Sequence, residues 1–294
     1  MRSVAGACNH PNVPSIPFFL QSSRIIQGGK RRAKWVCRAV LARSLNAYIC
    51  EPFFSIEANR AAYYGKLSKC RELSQRSVAA DQRDSLKAAA AATQAATALW
   101  ETEYGNLDAG RRGAAAASAM APGTAAKIFA ALTFAELKDG PRAEALASEL
   151  SRRFPDAPLL NNVWLSTIRA RIAISRDNPA EAIKLLQAAL PYELGQEPPL
   201  PSFAPVYVRG QAYLRARQAG DAAQEFQKIL DHRGIAGNSP VAALAHLGLA
   251  RAHALSGDTA KARTAYQDFF ALWKDADSDI PILKEAKAEY EKLK

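Results

Sequence analysis

Cysteine is confined to the first quarter of the chain: Cys8, Cys37, Cys50 and Cys70 are the only four in 294 residues, at spacings of 29, 13 and 20. No C-x-x-C occurs and no paired histidines stand nearby, so the close ligand pair that a zinc site needs is missing. Long apolar runs are missing too. The best, Trp35 to Ile49, is broken by Arg38 and Arg43, and a bilayer span needs about 20 apolar residues, so no membrane segment is expected. A secretory signal is excluded by order, because the basic cluster Lys30 to Lys34 follows the short apolar Ile16 to Leu20 instead of preceding it. The compartment is left open, cytoplasmic by default. There is no G-x-S-x-G, no H-E-x-x-H and no phosphate-cradling glycine loop, so the sequence offers no catalytic, metal-ligating or cofactor-binding residues and reads as a non-enzyme.

What is present favours helices. Hydrophobic residues make up 49% and charged ones 23%, enough for a sizeable core. Aromatics are only 8%, and alanine, the best helix former and a poor strand former, supplies much of the apolar count. The net charge of +11 is unevenly placed: residues 1–56 hold eight Lys or Arg against Glu51 alone, a net of +7, which leaves +4 for the other 238. An Arg-rich, acid-poor leader is compatible with an organelle transit peptide, and a basic run can touch nucleic acid, but no aromatic platform or motif accompanies it. The reading adopted is a disordered leader over 1–56, with no nucleic-acid partner.

From Val206 to Phe270 one pattern is written twice. Gly210, Tyr213, Ala222, Phe226 and Ile229 are spaced 3, 9, 4 and 3, and Ala250, His253, Ala262, Tyr266 and Phe269 repeat those intervals forty residues on. Each copy reads as two helices joined by a short turn, the tetratricopeptide pattern. Tyr63, Tyr64, Gly65, Leu67 and Cys70 resemble the same junction near the start of the array. The small position that opens each second helix falls at Cys70, Gly110, Ala143, Ala182, Ala222 and Ala262, in steps of 40, 33, 39, 40 and 40. HEAT repeats share the longer period. The turn-plus-alanine runs Asp-Asn-Pro-Ala-Glu-Ala at 177–182 and Gly-Asp-Thr-Ala-Lys-Ala at 257–262 decide against them, because a tight turn and then a small residue let two helices lie close. The expected fold is all-α, a right-handed solenoid of about six helix-turn-helix repeats over 57–294, with a capping helix at 279–294.

Helix ends follow the same register. Pro122 and Pro155 are expected after second helices, and Gly234, behind Asp231-His232-Arg233, is expected to cap one. The proline-rich stretch 191–205 reads as a stiff spacer, with a polyproline II ligand as the other option. His246 and His253 share a helix face two turns apart and suit packing better than metal binding. Glu101 with Glu103, and Glu289 with Glu291, are expected on solvated faces. Trp100, Trp164 and Trp273 are expected to fill gaps between repeats.

The stretches VYVRGQAYL (206–214), EFQKILDHRGI (225–235), ALAHLGLARAHALSGDTAKARTAYQDFFALWKDAD (243–277) and DIPILKEAKAEY (279–290) resemble the C-terminal repeat half of bacterial eukaryotic-like serine/threonine protein kinases. Similar repeats follow winged-helix regulators. The resemblance implies an interaction or sensor half; the kinase loop, H-R-D and D-F-G that would hold ATP and magnesium are absent from this chain, so no kinase activity is implied. Such repeats line a concave groove with their first helices. Aligning Ala170, Gly210 and Ala250 places Arg171, Tyr207, Gln211, Arg215 and Arg251 on that face, where guanidinium forks suit the carboxylates of an acidic peptide. The expected function is a scaffold that binds a protein or peptide; the alternative is a detached half of a kinase or regulator whose catalytic or DNA-binding domain is missing.

Overall fold

The structure, a computed structural model, describes residues 54–120, 122–195 and 203–293, all within one compact unit, Leu45–Lys294. The basic stretch Lys30 to Lys34 and the apolar run Trp35 to Ile49 lie outside the described residues. Helix α1 covers 54–63. It is followed by α2 (Leu67–Arg83), α3 (Lys87–Glu103), α4 (Leu107–Ser118), α5 (Thr124–Glu136), α6 (Gly140–Arg153) and α7 (Ser166–Ser175). The remainder are α8 (Pro179–Leu185), α9 (Ala204–Arg215), α10 (Ala219–Asp231), the short α11 (Arg233–Ala236), α12 (Pro240–Leu255), α13 (Thr259–Leu272) and α14 (Pro281–Glu291). No strand occurs among the described residues. The fold is an all-α solenoid of paired helices closed by a capping helix, α14.

Pairing gives the solenoid its step. Each first helix from α3 on packs against its own second helix and against the next first helix, as α3 does on α4 and α5, while α4, α6, α8 and α10 each also touch the following first helix. Cys70, Gly110, Ala143, Ala182, Ala222 and Ala262 each stand fourth in a second helix, and all six are buried. A larger side chain there would force the two helices apart. The turns before them are tight: Asn178 and Asp258 cap α8 and α13 by accepting from Glu181 N and Lys261 N at 3.2 and 3.0 Å, and Gly257 takes a left-handed φ of +79°.

The residues beyond a standard repeat length are absorbed in particular places. The helices α2 and α3 run to 17 residues each. A 3₁₀ stretch, Leu186–Tyr192, follows α8, and α11 is inserted after α10. A π-helical turn, Leu160–Leu165, opens α7, with Ser166 Oγ donating to Asn161 O at 3.3 Å across it. One expected cap falls elsewhere: Gly234 lies inside α11, and the left-handed residue that ends this segment is Gly237, φ +54°. The basic residue Arg233 starts a new turn of helix instead of finishing α10, which moves the stop three residues on.

Between pairs the core is aromatic. Phe226 of α10 is wholly buried between Gly210 of α9 and Gly248 of α12, where added Cβ atoms would stand 2.8 and 2.5 Å from its Cε1. Gly248→Ala is therefore expected to destabilise the protein by about 1–3 kcal/mol through overpacking. In a Phe226→Ala background the same change should stabilise by about 1 kcal/mol, because only the helix-propensity gain remains. A urea-denaturation cycle checks the sign reversal.

Candidate functional site

The inner faces of the first helices converge on a group of charges. Glu103 and Glu136 end α3 and α5, Arg171 lies in α7, Tyr207 in α9 and Arg251 in α12. Arg171 is 5% exposed and lies between two carboxylates, Nη2 against Glu103 and Nη1 at 2.7 Å from Glu136 Oε2. Tyr207 stands close enough to the same Glu103 carboxylate for its hydroxyl to favour the ionised form. Burial pushes Glu103 up to about 7; the Arg171 cation pulls the other way by less, and the like charge of Glu136 adds to the rise. Burial opposes the Arg171 cation, but the two carboxylates outweigh it and hold its proton more tightly than usual. The Tyr207 hydroxyl is raised well above its ordinary value, first by burial and then by Glu103.

Next along the face, Arg251 donates Nε and Nη2 to Glu289 of α14, both at 3.0 Å. Tyr266 Oη donates to the same carboxylate at 2.8 Å. The structure thus brings Arg171 and Tyr207 together as a buried floor, and Arg251 close enough to influence Tyr207. Gln211 is half-buried one turn beyond Tyr207. Arg215 is apart from the cluster. Its side chain is 58% exposed and meets Asp177, in the turn before α8, at 3.0 Å.

Two sequence expectations are revised. Glu101 and Glu103 are buried, not solvated: Glu101 takes both Arg71 nitrogens, at 2.5 and 2.9 Å, and Asn106 Nδ2 at 3.0 Å, while Glu103 faces Arg171. Glu289 serves Arg251, and only Glu291 of that pair is exposed. The stretch opening at Pro191 is anchored at Glu193, which pairs with Arg209 at 2.5 Å and Lys228 at 3.0 Å; residues 196–202 lie outside the described residues. Arg209, 1% exposed, also holds Glu225 at 2.6 Å, so a second buried ion cluster fastens the spacer to α9 and α10.

No family model matches the chain, and no curated protein matches it. Among solved structures it is similar to yeast Tom70, seen in a crystal structure, with a TM-score of 0.46 and 17% identity over 79% of this chain and 46% of that one. This chain spans less than half of Tom70's length. The fold assignment rests on the helix pairs themselves. The kinase-half resemblance rests on the stretches quoted for it.

Chemically, the cluster is matched within itself. Perturbed titration marks reactive sites and structural ion networks alike. Here each buried charge faces an opposite one, and Arg171, Glu103 and Tyr207 have little exposure, which fits a structural network. His246 and His253 are half-buried on α12 and held below the usual imidazole value, chiefly by burial. No group of three or more potential metal ligands occurs, and no helix is long and apolar enough to cross a membrane, among the described residues. Trp100, Trp164 and Trp273 are all buried.

Proposed function

We propose that the chain is a non-enzymatic scaffold that binds a protein or peptide on the first-helix face of its repeats. The observation that carries this reading is the state of Arg215. It stands at the edge of that face, and its only ion pair among the described residues is with Asp177, itself 82% exposed. Exposed pairs of this kind contribute about 0–1 kcal/mol, so a ligand carboxylate can replace Asp177 at little loss and gain a two-pronged contact. Gln211, one turn earlier on α9, offers an amide to a peptide backbone. Arg171 and Tyr207 form a rigid floor instead of gripping the ligand, since the Arg171 charge is already matched. Arg251, held by Glu289 at 3.0 Å and more loosely by Glu285 at 3.5 Å, borders the face. The ligand that suits these donors is an acidic segment.

The test is Arg215→Glu combined with Gln211→Glu, which leaves every buried ion pair in place. Proteins captured from a lysate by the native chain should be lost by this variant while its circular dichroism stays native. Identical capture by the two would sink the proposal.

A further inference from the structure

The two ends of the helix array meet, and beside their junction they leave a cavity of ≈ 540 Å³, within the range of about 300–1,000 Å³ usual for ligand pockets. One wall is α1 with the first turns of α2, and the other is the end of α13 with the residues after it. Leu73 and Leu272 supply apolar surface at the two walls. Around them stand Arg60, Lys66, Lys69 and Lys274 against two acids, Glu57 and Asp275, so the lining carries a net +2.

The cations are weakly engaged. Arg60 meets the half-buried Glu57 at 3.4 Å, while Lys66 meets Asp275 at 3.8 Å and Lys69 meets Glu72 at 2.8 Å with both side chains well exposed, and such solvent-facing pairs contribute little. Lys274 is exposed and forms no ion pair among the described residues. Apolar walls set among loosely held ammonium groups are the inverse of an acidic segment that carries an aliphatic side chain.

We propose that this pocket binds an acidic peptide, with an apolar side chain against Leu73 and Leu272 and carboxylates on Lys69 and Lys274. Charge decides the occupant. Residues 1–56 of this chain, at net +7, have the wrong sign. A nucleic acid would want an unbroken basic track and stacking surfaces, whereas Glu57 and Asp275 interrupt this one. The site is separate from the first-helix face and does not depend on the function proposed for it.

The probe is a short fluorescein-labelled peptide of alternating Asp and Leu, followed by anisotropy with the full chain. Binding is expected to weaken about tenfold or more on Lys69→Glu with Lys274→Glu. It should weaken likewise on Ala271→Trp, which fills the mouth from an exposed position without changing charge. Arg215→Glu with Gln211→Glu should leave it unchanged, so the two sites fail or stand separately. Equal binding of the Asn-for-Asp peptide, tighter binding of an oligothymidylate, insensitivity to the pocket variants, or no binding of the probe would each overturn the proposal.

Discussion

Trp273→Ala is expected to destabilise the protein by about 3–5 kcal/mol, the range for emptying a buried aromatic site. The effect should reach residues more than two hundred positions away. Trp273 closes α13 in the last repeat, yet its indole N–H donates to Tyr63 O at 3.0 Å, at the end of α1. Its ring meets Tyr104 edge-on at 5.0 Å and Phe269 at 4.7 Å, and it is 2% exposed. Gly65, φ +69°, leaves room for it, since a Cβ there would lie 2.8 Å from the indole. Backbone ties run alongside: Asp277 N donates to Gly65 O at 2.9 Å, Ile282 N to Tyr104 O at 3.2 Å, and Ser68 N to the Asp277 carboxylate at 2.6 Å.

In an open solenoid each repeat touches only its neighbours, and the ends fray first. Here the last repeat is fastened to the turns of the first and second. Removing Trp273 should therefore lower amide-exchange protection in α1 and α2 as well as in α13. Trp273→Phe keeps most of the ring but leaves Tyr63 O unpaired, so a smaller loss of about 1–3 kcal/mol is expected. A native-like midpoint for Trp273→Ala in urea, or loss of protection confined to α13, would show that the ends are not coupled.

That closure could not be read from periodicity. Repeat spacing reports local geometry, and it located all six small second-helix positions because close helix pairs impose the same steric demand each time. It also placed Phe226, Ile229, Tyr266 and Phe269 in the core, where all four are buried. Contacts between residues such as Gly65 and Asp277 depend on how small rotations between repeats accumulate, and no local pattern encodes them. The buried carboxylates are a different case. Glu101 and Glu103 end a helix rich in alanine, and polarity alone suggests solvent. Yet Glu103 and Glu136 are separated by the same 33 residues as Gly110 and Ala143, so they occupy equivalent places in successive repeats. Arg171 falls one turn earlier in the next repeat, and that alignment was the signal available for the cluster. What it lacked was any mark of burial, to which Tyr207, contributed by α9 from a later repeat, adds at Glu103.

Arg171 is where this burial has its largest consequence. Arg171→Met should destabilise the protein by about 3–5 kcal/mol, because it strands Glu103 in an apolar setting with Glu136 beside it. Adding Glu103→Gln should recover much of that loss, since the remaining Glu136 is the more exposed carboxylate and can turn to water. The pH dependence gives an independent reading. An unfolded glutamate titrates near about 4.3, while burial raises Glu103 to about 7 in the folded protein. Between those values the folded state binds more protons than the unfolded one, so this group's contribution is full at the acid end and is lost as pH rises through about 7. Glu103→Gln should flatten that part of the stability profile. Arg171→Met should extend the decline to higher pH, because the carboxyl has lost the cation that pulled its proton affinity down. Urea midpoints collected from about pH 5 to about pH 8.5, bracketing that titration, separate the cases. A profile that Glu103→Gln leaves unchanged would mean that Glu103 stays ionised throughout, with its charge fully matched by Arg171.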